Sequence, residues 1–223
     1  MVNIKLLFII LDEGYDKKVN DLLNKFGIKV KTASGASGTA TSGILNYLGL
    51  YETKKTIFMA IIPDYLSEKI LAKIKVNFNL EKEGTGIAFT IQIVSANKYL
   101  SDSFKRVSTE RDELKMNNKE ETKYHLVITI VSEGYLEQVM EAAKKAGSSG
   151  GTAIKGRGLS NVQSKILGFN IEPEKDIVLN IVLEKNKTKV MEEITKAVGI
   201  KTPGKGVCVA LPVDEAVGIE FFE

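Results

Sequence analysis

The chain repeats itself at a fixed offset of 120 residues, and this restricts its fold more than any other feature. Glu13-Gly14-Tyr15 returns as Glu133-Gly134-Tyr135, Lys25 and Gly27 as Lys145 and Gly147, and Thr32-Ala33 as Thr152-Ala153. Gly38, Lys55, Ile57, Ile61 and Ile74 meet Gly158, Lys175, Ile177, Ile181 and Ile194, and Gly84-x-Gly86 meets Gly204-x-Gly206. The matches need almost no gap and concentrate on glycines and apolar positions, so each copy carries one supersecondary plan.

Periodicity gives that plan. Lys5 to Leu11 and Leu126 to Val131 are β-rich apolar runs that end in the Glu-Gly-Tyr turn. Val19, Leu22, Leu23 and Phe26 then fall at helical spacing, as do Leu136, Val139, Met140 and Ala143, with Gly27 and Gly147 suited to the helix ends. A short strand leads to Thr32 and Thr152, followed by a long loop and a third strand at about Thr56 to Ile62 and Asp176 to Leu183. A second amphipathic helix follows (Leu66, Ile70, Ile74; Val190, Ile194, Val198). A last strand then alternates Ile87, Phe89, Ile91, Ile93 and Val207, Val209, Leu211, Val213. The order βαββαβ, twice, predicts an α+β protein of two tandem ferredoxin-like domains, each an antiparallel sheet with two helices on one face. The expected limits are 1–100, a charged linker at 101–123, and 124–223. The open face of each sheet is partly apolar, and oligomerisation is the simplest way to cover it.

The 31 basic and 28 acidic residues nearly cancel, which gives no electrostatic footprint for nucleic acid. Apolar runs are far shorter than the roughly 20 residues a bilayer requires. The N-terminus has neither a basic leader nor a small-residue cleavage site, so the expected location is the cytoplasm. Cys208 and His125 are the only cysteine and histidine, which rules out an internal disulfide and a chelating Cys/His cluster. Cys208 reads as a small buried hydrophobe and His125 as a strand-end histidine. No catalytic residue is assigned, and Glu13 and Glu133 read as turn residues.

Two segments of the second copy carry a resemblance. Lys155-Gly156-Arg157-Gly158 opens a loop of about 20 residues that Glu174-Lys175 closes, and Thr202-Pro203-Gly204-Lys205-Gly206-Val207 turns into the final strand, continuing through Leu211-Pro212-Val213-Asp214-Glu215-Ala216-Val217. The chain thereby resembles the PII-type nitrogen regulatory (signal-transduction) proteins, in their T-loop and B-loop regions, over most of 124–221 and more weakly over 5–99. The resemblance implies a non-enzymatic regulator, trimeric, that binds an adenine nucleotide between subunits and addresses a partner protein, such as a membrane transporter, through its long loops. The ligand-binding residues it implies are Lys155, Gly156, Arg157, Gly158, Lys175, Gly204, Lys205 and Gly206; no cofactor is required.

The sequence also departs from that family. Val207 stands where the family has a phosphate-contacting lysine, and Val217-Gly218-Ile219-Glu220 where it has two basic residues. The expected ligand is an adenine nucleotide (AMP, ADP, ATP or a cyclic nucleotide), with tight triphosphate binding weakened by these losses and a less charged ligand such as AMP, a cyclic nucleotide or a small anion comparatively favoured. The first copy replaces the cationic loop opening with the small-residue run Ala33 to Gly43, read as a flexible loop with a backbone nest for an anion as the alternative, and its Tyr47 and Tyr51 read as packing or surface residues. The alternative to a sensor is a structural or ion-tolerance trimer of CutA-like architecture without nucleotide binding.

Overall fold

The computed structural model describes residues 4–39, 53–82, 84–96, 123–158, 164–166, 169–171 and 174–219. The expected linker therefore lies outside the described residues except for Lys123, as do Tyr47 and Tyr51. The first repeat copy runs β1 (Ile4–Asp12), α1 (Asp16–Lys25), β2 (Lys31–Gly38), β3 (Thr53–Pro63), a 3-10 turn (Asp64–Leu66) leading into α2 (Ser67–Asn77), and β4 (Gly86–Gln92). The second runs β5 (Tyr124–Ser132), α3 (Leu136–Lys145), β6 (Thr152–Arg157), a small hairpin of β7 (Ser164–Ile166) and β8 (Phe169–Ile171), β9 (Glu174–Leu183), α4 (Glu184–Val198), β10 (Val207–Val213) and β11 (Glu215–Val217). The first strand and first helix of each copy keep the 120-residue offset to the residue. The fold class is the α+β, ferredoxin-like arrangement that periodicity implies.

The chain forms two compact units. One takes the described residues within 1–34, 55–124 and 212–220, the other those within 35–54, 125–211 and 221–223. In the first, strands lie in the order β2-β3-β1-β4-β11, with β1 antiparallel to both β3 and β4 and β11 antiparallel to β4. In the second the order is β10-β5-β9-β6, with β6 antiparallel to β9 and with Ser37 and Gly38, at the far end of β2, paired to Ala153 and Thr152.

Part of the expected flexible loop is therefore a strand, because Ala33 to Gly38 lie in β2. Glycine, alanine and serine have little preference for a strand of their own. Backbone pairing imposes it, and their small side chains raise no obstacle.

Alternation decides which face each strand buries. Leu7, Ile9 and Leu11 of β1 and Phe58, Ala60 and Ile62 of β3 meet Val19, Leu22 and Leu23 of α1 and Ile70, Leu71 and Ile74 of α2 in one core. In the second unit Val127 and Val131, Val178 and Val182, Val139, Ala142 and Ala143, and Val190 and Ile194 repeat that core position by position. The second core uses smaller side chains: Leu22 and Leu23 give way to Ala142 and Ala143, and Phe58 to Val178.

Beside the first core lies a buried ammonium. Lys5 Nζ is 2.7 Å from Asp64 Oδ1, 2.8 Å from Glu215 Oε1 and 3.2 Å from Ser67 Oγ, and it also pairs with Asp214. The Ser67 hydroxyl donates to Glu215 Oε1 at 2.7 Å. Burial alone would pull the pKa of Lys5 down, but its hydrogen bonds to Asp214, Asp64 and Glu215 outweigh burial and raise it. The three carboxylates could in principle gather a metal ion, and the ammonium of Lys5 lies among them instead.

The repeat places His125 at the Lys5 position and Glu184 at the Asp64 position, with Nδ1 and Oε2 2.7 Å apart. His125 is buried, and that burial, seconded by the Lys187 charge and opposed by Glu184, lowers its pKa from 6.5.

Lys5→Met leaves the carboxylates without their cation and is expected to lower stability by about 2–4 kcal/mol in urea unfolding. Because the pKa of Lys5 is higher folded than unfolded, its contribution is complete below pH 10.5 and disappears as pH rises through the folded value. His125 has the opposite sign: stability is full above pH 6.5 and falls as pH drops through its lowered folded pKa. His125→Gln should flatten the pH dependence of the urea midpoint on the acid side of neutrality.

Candidate functional site

The residues singled out in the second copy gather at one end of its sheet, where β5 ends, β9 begins, β6 ends and the turn before β10 passes. The Ser132 N–H donates to Gly204 O at 2.9 Å, and the Glu133 N–H to Glu174 O at 3.1 Å. Lys175 Nζ donates to Ser132 Oγ at 3.1 Å. Lys155 Nζ lies 2.9 Å from Asp176 Oδ1 and 3.4 Å from Glu133 Oε1. Ser132 and Glu133 thus tie Lys155, Lys175 and Gly204 into one patch. Within the β6–β9 ladder Gly156 stands opposite Lys175, Arg157 opposite Glu174 and Lys155 opposite Asp176. The Lys-Gly-Arg segment belongs to a strand, and Gly158 is the first residue beyond it.

Glycines 204 and 206 answer to packing. A Cβ on Gly204 would come within 3.2 Å of Val131, Val198 and the Val198 carbonyl, and one on Gly206 within 2.5 Å of that carbonyl. The Gly206 N–H donates to Val198 O at 2.6 Å and the Lys205 N–H to Thr202 O at 3.1 Å, so neither is turned toward a ligand. Lys205 itself is exposed and takes a positive φ of 46°.

Asp176 is the residue the sequence reading missed. Its carboxylate is 0% exposed, and neither oxygen has a well-directed hydrogen bond. The Lys155 ammonium is its counter-charge, and that ion pair is the main reason the pKa of Lys155 is raised. The signal was available in the offset, because Thr56 holds this position in the first copy.

The equivalent place in the first unit is neutralised. Lys55, the counterpart of Lys175, pairs with Asp12 Oδ1 at 2.6 Å and donates to Gly84 O at 3.3 Å. The second copy has Ser132 in place of Asp12. Among the described residues, Lys175 has a hydroxyl where Lys55 has a carboxylate.

No protein-family model matches the chain, and no curated protein does. Among solved structures it is similar to the apo form of CPII from Thiomonas intermedia K12, a nitrogen regulatory PII-like protein, at 24% identity and a TM-score of 0.33 over 41% of this chain and 89% of that one. A second CPII structure, bound to ADP, AMP and bicarbonate, matches at 24% identity and a TM-score of 0.34 over 43% and 96% of the two chains. Arabidopsis thaliana PII bound to citrate matches at 24% and 0.33 over 41% and 75%.

Two other sequence readings meet the structure here. Cys208 packs against the second core, burial raises its thiol pKa, and the Thr129 hydroxyl lies 3.6 Å from its sulfur. Among the described residues, no helix is long and apolar enough to cross a membrane.

Lys155→Met strands a buried carboxylate and is expected to cost about 1–3 kcal/mol in urea unfolding. Adding Asp176→Asn to the same chain should recover most of that loss, a coupling that a double-mutant cycle measures.

Proposed function

We propose that the chain is a PII-like, non-enzymatic regulatory protein whose second unit binds a small anionic effector at the Lys155–Lys175 end of its sheet. The observation that carries this reading is the exchange of Asp12 for Ser132. An ammonium paired with a carboxylate has little charge to offer an anion, whereas one held by a hydroxyl keeps it and is positioned by it. Lys155, already paired with Asp176 and Glu133, contributes position more than charge, and the exposed Lys205 adds positive charge toward the turn. With Val207 exposed where a further cation would strengthen phosphate binding, the ligand class is an adenine nucleotide of low charge, such as AMP or a cyclic nucleotide, or a small anion such as bicarbonate. ADP and ATP fit the same patch less well. The first unit, its lysine neutralised, serves as scaffold.

In this reading the protein works in the cytoplasm as a homo-oligomer, with a trimer favoured, and signals through the long segments after β2 and β6 to a partner protein such as a membrane transporter. One observation favours the structural, CutA-like alternative: packing against Val198 accounts for Gly204 and Gly206 without any ligand.

Calorimetry with ATP, ADP, AMP, cyclic nucleotides, 2-oxoglutarate and bicarbonate separates the two readings. Binding of at least one is expected, weakened about tenfold or more by Ser132→Asp, which recreates the Asp12 pairing, and by Lys175→Ala. Val207→Lys should strengthen triphosphate binding selectively. No heat from any member of the panel, or unchanged affinity in Ser132→Asp, overturns the proposal.

A further inference from the structure

The ammonium of Lys155 bridges two carboxylates, 2.9 Å from Asp176 Oδ1 and 3.4 Å from Glu133 Oε1. Lys5 does the same among Asp64, Asp214 and Glu215, but there the ammonium is caged, its side chain only 6% exposed. The side chain of Lys155 is 63% exposed and that of Glu133 is 50% exposed. Lys155 is therefore able to swing into solvent and leave the two carboxylates facing each other, as Lys5 is not.

Asp176 is poorly served by this arrangement. It lies wholly inside, neither of its oxygens has a well-directed hydrogen bond, and one exposed lysine offsets the whole cost of its burial. Its backbone is held in the β6–β9 ladder opposite Lys155. The backbone of Glu133 is held as well, by the N–H that donates to Glu174 O at 3.1 Å where β9 begins. Two fixed carboxylates, one buried and unsatisfied, the other open to water, with a removable cation between them, suit a hard divalent ion that keeps part of its water shell. All the donors are oxygens, which favours Mg2+, Mn2+ or Ca2+ over softer metals.

We infer that a divalent cation of the Mg2+ class binds between Asp176 and Glu133 in place of the Lys155 ammonium, which it displaces into solvent. Two charges at about 2.1 Å offset a buried carboxylate better than one charge held farther off, and the lysine regains its rotamer freedom. The first copy has no such site, because Gly35 and Thr56 stand at the positions of Lys155 and Asp176. One ion per chain is expected at this site. The site stands without any anionic effector, and its test uses none.

Mn2+ is the probe, its paramagnetic resonance signal lost on binding and titrated against the full chain at constant ionic strength. The native chain should bind it. Lys155→Met removes the competing ammonium and should tighten binding about tenfold or more, while adding Asp176→Asn to that variant should abolish it. Mg2+ should raise the urea midpoint of Lys155→Met and leave that of the double variant unchanged. Should Lys155→Met fail to fold, Glu133→Gln decides, since this half-exposed residue can be changed without loss of the core and its loss should weaken binding in the native background. No binding by the native chain at millimolar Mn2+, equal affinity in the native and Lys155→Met chains, binding that survives Asp176→Asn, or affinity unchanged in Glu133→Gln would each overturn the inference.

Discussion

The ammonium of Lys5 is the point at which three distant parts of the first unit must agree. It sits at the start of β1, is met by Asp64 from the turn after β3, and is closed over by Asp214 and Glu215 from the far end of the chain. An apolar contact tolerates a slide of an ångström. A buried charge does not, because losing one carboxylate leaves the ammonium short of the partners that offset its desolvation. The antiparallel pairing of β11 with β4 is therefore held at both ends, by its own backbone bonds and by a charge that would be costly to leave unmatched.

The second unit solves the same problem with less. His125 and Glu184 occupy the equivalent positions, and lowering the pKa of the imidazole favours its neutral form, so little net charge has to be buried. Fewer demands at that end go with a smaller core, alanines at 142 and 143 replacing the leucines at 22 and 23. The charge differences reverse at the other end of the sheet. There the first unit is self-satisfied through Asp12 and Lys55, while the second carries Lys155, Lys175 and a buried Asp176. The two copies thus place their buried charge at opposite ends of the repeat: at Lys5 in the first, at Asp176 in the second.

Most of the frame was legible in the sequence, because strand alternation, helical spacing and the fixed offset all report local geometry. Leu7, Val19 and Ile74, and their counterparts Val127, Val139 and Ile194, could be placed in cores without coordinates. What escaped was long-range. Nothing near Glu215 in the sequence says that it will meet Lys5, and nothing in the Ala-Ser-Gly run says that it will be drawn into β2. At the candidate site, Lys155, Lys175 and Gly204 were legible as motif residues. Ser132 and Asp176 were not, since each gains its meaning only from the neighbour that folding supplies. Comparing the copies position by position would have exposed both, as Asp12 against Ser132 and Thr56 against Asp176.

The closure of β4 by β11 also governs the order in which the molecule can be completed. The bond between Lys5 and Glu215 spans 210 residues, so the first unit cannot reach its final form until the segment through Glu215 has left the ribosome. Until then β4 is an unpaired edge and Lys5 lacks two of its carboxylates. Contacts of such separation form late, after the loop-closure entropy has been overcome. The repeat made first in synthesis is thus among the last to be finished, and a nascent chain passes through a stage in which its exposed strand is the part most in need of protection.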